Sequence, residues 1–233
     1  MNIACFRIHL LQTKKLLDKL GLLRDSNIET GNFEPSEETK KAGHGDDYYT
    51  LYRSVEKNYD YEFSLTDGSF FQFAFMESGF RYAFLESIME FMSFEEYLSE
   101  EGVTEEHVNE MEESDYNVYR ACYDAEIDSM KQKIHPLYIR YDYTNITKEH
   151  VPNVHSSSHF HFGWHNLSRI PCSKILTPEA FACFALKMYS PSKWKDFLER
   201  ELISDADYAF KRYMEELPNN LWEQKEERDI YMV

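Results

Sequence analysis

Positive charge is what this sequence has least of. Its 25 Lys and Arg face 42 Asp and Glu, a formal net charge of −17. Such an acidic surface repels phosphate backbones, which disfavours sequence-independent DNA binding by the whole surface and suits a basic protein partner. Cysteine is scarce too. The four, at 5, 122, 172 and 183, form no C-x-x-C pair and none sits at finger spacing from a histidine. That excludes a zinc finger and reads as reduced, mostly packed thiols of a cytoplasmic protein. Long apolar runs are missing. "IACFRIHLLQTKKLLDKLGLL" is broken by Arg7, His9 and three Lys, and it lacks a small-residue cleavage site. It reads as an amphipathic helix, and no membrane contact is expected. There is no Gly-rich phosphate loop, no G-x-S-x-G elbow, no H-E-x-x-H and no fixed-period repeat, so no cofactor is expected.

What is abundant is aromatic. The chain holds 17 Tyr and 17 Phe in 233 residues, enough to build one sizeable core. The pattern predicts an α+β fold: one domain over 1–233, an antiparallel sheet flanked by N-terminal and C-terminal helices. Residues 1–47 read as a helix over 3–23 followed by a polar loop, 24–47. Residues 48–176 read as the sheet. Within it, the aromatic run from Tyr48 to Leu65, "SFFQFAFME" and "FRYAFLES" form a three-strand meander joined at "TDG" and "SG". An acidic helical insertion interrupts the sheet near 86–134. Residues 85–115 carry twelve acids and no Lys or Arg. Ser93 caps a short helix there, and 114–134 form another. "PLYIRYDYT", "HFHFGW" and "SRIPC" give further strands. Residues 177–233 read as helices, with Thr177 as cap and Pro178 at the first position, a second start at Ser192, and more helix over 205–230.

The stretch "HSSSHFHFGWH", residues 155–165, holds four of the nine histidines. A period of two sends Phe160, Phe162 and Trp164 to the core and His159 and His161 to the opposite, wet side. The same rule groups Arg140 and Asp142. If the strands pair, these four residues share one polar face. Residues 131–175 carry six cations and two acids, a basic island in an acidic chain. As a catalytic set, His159 and His161 would exchange protons while Arg140 and Asp142 position a phosphodiester, without a metal. Arg169 and Arg140 would bind an anion. A metal set of His155, His159, His161 and Asp142 is disfavoured by the charge of Arg140. A wet strand face with a structural network is the plain alternative. Glu95, Glu96, Glu100 and Glu101 of the acid run are candidates for a partner-binding surface.

"DGSFFQFAF", "FRYAFLES", "YIRYDYT", "SHFHFGWHNLSRIP" and "LTPEAFACFALKMY" followed by Trp194 occur in that order. Over roughly residues 1–200 the chain resembles the bacterial domain-of-unknown-function 2290 family. The resemblance implies a bacterial cytosolic protein of a defence-related gene neighbourhood and singles out Arg140, Asp142, His159, His161 and Arg169. It implies no reaction. Three readings follow: an accessory subunit of an anti-phage or anti-plasmid complex with a nuclease or ATPase partner; a metal-independent nuclease or phosphodiesterase, with nucleic acid at 131–175; and a metal-binding regulator.

Overall fold

The computed structural model describes residues 1–31, 33–45, 47–89, 94–104, 107–108, 111–129, 132–203, 211–228 and 231–232. The fold is α+β. Strands β1 (Leu23–Ser26), β2 (Phe63–Leu65), β3 (Phe70–Met76), β4 (Gly79–Leu85), β5 (Tyr138–Thr144), β6 (Ser158–Phe162) and β7 (Ile170–Pro171) form one antiparallel sheet in chain order. The chain divides into two compact units, residues 1–86 with 137–233 and residues 87–136.

In the first unit, period two sorts the sheet into two faces. Phe71, Phe73, Tyr82, Phe84, Ile139, Tyr141 and Phe160 are buried on one face. Against it pack α1 (Ile3–Lys19), through Phe6, Leu10 and Leu17, and the helix Pro178–Tyr189, through Phe181, Ala182 and Ala185. Thr177 caps that second helix by accepting the Ala180 amide, with Pro178 at the first position. His9 of α1 reaches Glu179 with its Nδ1 2.6 Å from a carboxylate oxygen. The opposite face presents Phe70, Gln72, Arg81, Tyr138, Arg140, Asp142, His159 and His161. The helix Tyr48–Asn58 packs there through Tyr52 on Phe70 (5.0 Å between ring centroids) and Tyr48 on Tyr138 (6.2 Å).

Four expectations about local structure are corrected. Residues 48–58 are a helix rather than the start of a strand. Leu51, Tyr52 and Val55 follow Tyr48 at helical spacing, and Asp47 accepts the amides of Tyr49 and Thr50. Aromatic content suggested β; the 3.6-residue period and the cap prevail. The expected 3–23 helix stops at Lys19, and the polar segment 24–47 is no plain loop: the edge strand β1 runs into it from Leu23, and it forms a short helix, Glu37–Ala42, capped by Ser36. Residues 211–228 are not α-helical. Glu215 and Glu216 pair with Ile175 and Lys174, and Leu217 donates its amide to Ser173 O, so the strand ladder claims the backbone before Pro218. Residues 204–210 of that expected helix lie outside the described residues. The fourth correction, Trp164, belongs to the site.

The second unit contains the helices Phe94–Glu100 and Glu113–Ser129. Phe94, Tyr97, Leu98 and Tyr123 bury one another, and the Arg120 guanidinium lies 5.1 Å from the Phe94 ring centroid and 5.2 Å from that of Tyr123. Ser93, the expected cap, lies outside the described residues.

Candidate functional site

The pairing of β5 with β6 sets Arg140 opposite His161 and Asp142 opposite His159. On the other side, β4 sets Arg81 opposite Asp142. Sequence alternation therefore places two arginines, a carboxylate and two imidazoles on one patch of sheet. Asp142 is the hub. One carboxylate oxygen accepts Arg81 Nε at 2.8 Å and the other accepts Arg140 Nε at 2.9 Å. That second oxygen lies 3.5 Å from His161 Nε2 and 3.8 Å from His159 Nε2.

The patch is not wet. His159 and His161 are 3% and 5% exposed, which corrects the expectation of an open polar face. Two features close it. The loop after β6 turns back so that Asn166 O meets His161 Nδ1 at 3.2 Å, and the segment before β6 brings Ser156 O to His159 Nδ1 at 2.6 Å. Trp164 lies beside it, and here lies the fourth correction. Gly163 takes φ +85°, the alternation breaks, and Trp164 leaves the core face. Its ring packs on Tyr138 (5.3 Å) and Tyr48 (5.9 Å), beside the patch. Phe160 is buried as expected, and Phe162 is half-buried against the core.

The hydrogen bonds fix the tautomers. A carbonyl only accepts, so both Nδ1 atoms carry hydrogen. In the neutral rings both Nε2 atoms then present lone pairs, yet they stand 3.1 Å apart. Two lone pairs at that distance repel unless a proton or a metal ion lies between them. Burial lowers the affinity of His159 for a proton to a pKa of about 4, with His161 contributing in the same direction, so this ring is neutral near pH 7. Burial would raise the Asp142 carboxyl. A hydrogen bond from His161, when its Nε2 carries the proton between the rings, and the Arg81 and Arg140 guanidiniums outweigh it and hold the group ionised, well below the usual carboxylate range.

Asp142, His159 and His161 offer three ligand atoms within 4.8 Å of one another. His155, the fourth member of the expected metal set, stands apart from them: its Nδ1 meets Glu149 O at 2.8 Å and its ring packs 5.3 Å from that of His159. Arg169 immediately precedes β7, whose pairing with β6 ends at Ile170 opposite Phe160. Arg169 Nε and Trp164 Nε1 are buried donors without an acceptor among the described residues. Of the expected partner-binding acids, Glu100 and Glu101 are exposed, while the side chains of Glu95 and Glu96 lie outside the described residues.

Residues 22–225 match the family described as "Uncharacterized conserved protein (DUF2290)". The chain belongs to the DUF2290 family. Its matched region takes in the whole Asp142–His159–His161 patch and the helix Pro178–Tyr189 behind it, while α1 precedes it. No curated protein and no solved structure matches the chain at a significant level. No described helix of this DUF2290 protein is long and apolar enough to cross a membrane.

Sequence reasoning missed Arg81 and another carboxyl of the first unit, the buried Glu62. The register of β4 on β5 assigns Arg81; its signal was the alternation of "GFRYAFL", in which Arg81 is the lone charge.

Proposed function

We propose that this protein is a metal-binding regulator, holding a divalent transition-metal ion between His159, His161 and Asp142. The observation that carries the reading is the 3.1 Å approach of two Nε2 atoms whose Nδ1 atoms are both committed to carbonyls. An ion about 2.0–2.1 Å from both nitrogens spans that separation at an angle of roughly 100°, close to tetrahedral or octahedral geometry. Nδ1–H bonded to a backbone carbonyl is the usual support of a metal-ligating histidine. The same burial disfavours the metal-independent nuclease, because an imidazole that exchanges protons with a substrate must reach it.

Charge defines what accompanies the ion. Arg81 and Arg140 against Asp142 give a formal +1, and a divalent ion makes +3. An anion restores balance, and the unpartnered donors of Arg169 and Trp164 suit its oxygens. The reading therefore includes a phosphate-bearing co-ligand. Zn²⁺ titrated into chelator-treated protein is expected to bind one per chain. Phosphate should tighten that binding, and Zn²⁺ should tighten phosphate binding by the same factor. His159→Ala and Asp142→Asn should each weaken Zn²⁺ at least a hundredfold. Stoichiometric Zn²⁺ binding that survives both substitutions would overturn the reading, as would no binding at all.

A second reading is an accessory subunit of a bacterial defence complex. Its support is a compact acidic unit, residues 87–136, with Glu100 and Glu101 exposed. Association through such charge weakens as salt rises. Replacing Glu95, Glu96, Glu100 and Glu101 by Gln should reduce capture of a partner encoded by a neighbouring gene and leave the melting temperature unchanged. Unchanged capture would remove this reading.

A further inference from the structure

A second site lies in the first unit where the sheet's edge is incomplete. Strand β2 pairs with β3 only at Phe63 with Phe71 and Ser64 with Phe70. Beyond that point the edge amides of β3 find other acceptors. Phe75 N donates to Phe33 O at 3.2 Å, and Phe73 N donates to the Glu62 side chain at 2.5 Å. The gap between β3, the 33–35 loop and the end of the helix Tyr48–Asn58 is a cavity of about 250 Å³.

Its lining has a consistent chemistry. Glu34, Asp60 and Glu62 contribute carboxyl groups, Phe33, Tyr59 and Tyr61 contribute aromatic residues, and no Lys, Arg or His is among the described lining residues. Asp60 is engaged: its carboxylate accepts the Ser36 amide at 3.1 Å and the Ser36 hydroxyl at 2.5 Å. Glu34 pairs with Lys40 at 2.6 Å. Glu62 is different. It is 8% exposed, one oxygen serves Phe73 N, and no cation pairs with it among the described residues. Asp25 accepts from the Tyr61 hydroxyl at 3.1 Å, and Arg24 Nε donates to Ser64 Oγ at 3.0 Å, so that cation is also spent elsewhere. The helix Tyr48–Asn58 ends at the cavity wall, and its C-terminal carbonyls add negative potential. Tyr59, which ends it, takes φ +55° and remains 68% exposed, so a bulky ring is held at the rim in a backbone conformation that disfavours it.

We propose that this cavity binds a small organic ammonium ion, with Glu62 as its counter-ion and the aromatic residues Phe33, Tyr59 and Tyr61 as its walls. Aromatic faces attract a desolvated cation, and a buried carboxylate completes the neutralisation. The cavity is at the small end for ligand pockets, which run from about 300 Å³ upward, so the ligand is amine-sized rather than a nucleotide or peptide. Glu62 in the empty site stays protonated near neutrality. Burial pushes its carboxyl up to about 8, with the Asp60 charge acting in the same direction. Ammonium binding then expels the proton: the Glu62 O–H bond breaks, the carboxylate pairs with the ammonium, and the proton goes to buffer. Affinity rises with pH until about 8 and levels off above it.

The probe is n-butylammonium, with 1-butanol as its neutral counterpart, titrated by calorimetry into the full chain at pH 6 and pH 9. The cation is expected to bind at least tenfold tighter than the alcohol at pH 9, and at least tenfold tighter at pH 9 than at pH 6. At pH 7 the apparent heat should vary with the buffer's ionisation enthalpy, reporting proton release. Glu62→Gln keeps an acceptor for Phe73 N and should abolish both the preference and the pH dependence. Tyr59→Asn suits the left-handed backbone, so it should fold at least as stably while weakening the cation severalfold. Equal binding of alcohol and cation, no binding of the cation, or a Glu62→Gln variant that binds like the parent would each overturn the proposal.

Discussion

Phe160 and Trp164 stand four residues apart in one aromatic run, and the structure gives them different neighbours. Phe160 is 2% exposed and touches Tyr141, Phe162 and Phe184. Trp164 is half-buried on Tyr48 and Tyr138, with its indole N–H unpartnered among the described residues. Phe160→Ala should therefore cost about 3–5 kcal/mol, and Trp164→Ala clearly less, as measured by urea unfolding. Equal losses would mean that Trp164 is core after all. The grouping of Arg140, Asp142, His159 and His161 was legible in the sequence, because period two and one correct strand pairing fix it. Their burial was not, because it comes from Ser156 and Asn166 on either side of β6, and the place of the Trp164 ring was not, because one glycine with positive φ decides it.

Elements were most legible where local and tertiary signals agree. The helix Pro178–Tyr189 has its cap, its proline and its apolar face in one place. The meander β3–β4 has alternation plus a turn. Gly79 shows how strictly that turn is specified: a Cβ there would sit 1.8 Å from Tyr143 O, at φ +155°. The atom it would meet is backbone of a paired strand and has no room to yield. Gly79→Ala should destabilise by more than about 3 kcal/mol, in the range reserved for strain that cannot relax. A variant melting within a few degrees of the parent would contradict the register of β4 on β5. Legibility failed in the helix Tyr48–Asn58, whose aromatic content favours β while its period favours α. It failed again just before Pro218, where the pairing of Glu215 and Glu216 with Ile175 and Lys174, distant in sequence, decides the outcome.

At the scale of the whole molecule, two buried groups oppose each other in pH. His159 has its folded pKa lowered to about 4 from an ordinary 6.5, so the unfolded chain binds more protons between those values and stability rises with pH there. Glu62 has its folded pKa raised to about 8 from 4.5, so the folded chain binds more protons and stability falls as pH rises across that window. Between pH 4.5 and 6.5 the two slopes cancel. Between 6.5 and 8 only the Glu62 slope remains, and stability should drop by about 2 kcal/mol, at roughly 1.4 kcal/mol per unit. Glu62→Gln should flatten that drop. Denaturation at a series of pH values checks it, and an undiminished drop in the variant would assign the effect elsewhere.

The acidic unit enters and leaves the sheet between neighbouring strands. Glu86 N donates to Leu137 O at 3.0 Å, and Lys133 N donates to Ile88 O at 2.8 Å inside the unit itself. For β4 and β5, about fifty residues therefore behave as a tether whose ends are already joined while that unit is folded. If the unit melts, the same residues become a flexible chain, and closing it costs about 3 kcal/mol more than a two-residue turn, since the penalty grows as the logarithm of length. Anything that binds and orders residues 87–136 thus tightens the strands bearing Arg81, Arg140 and Asp142 without touching them. The size of that coupling is set by polymer statistics rather than by any contact.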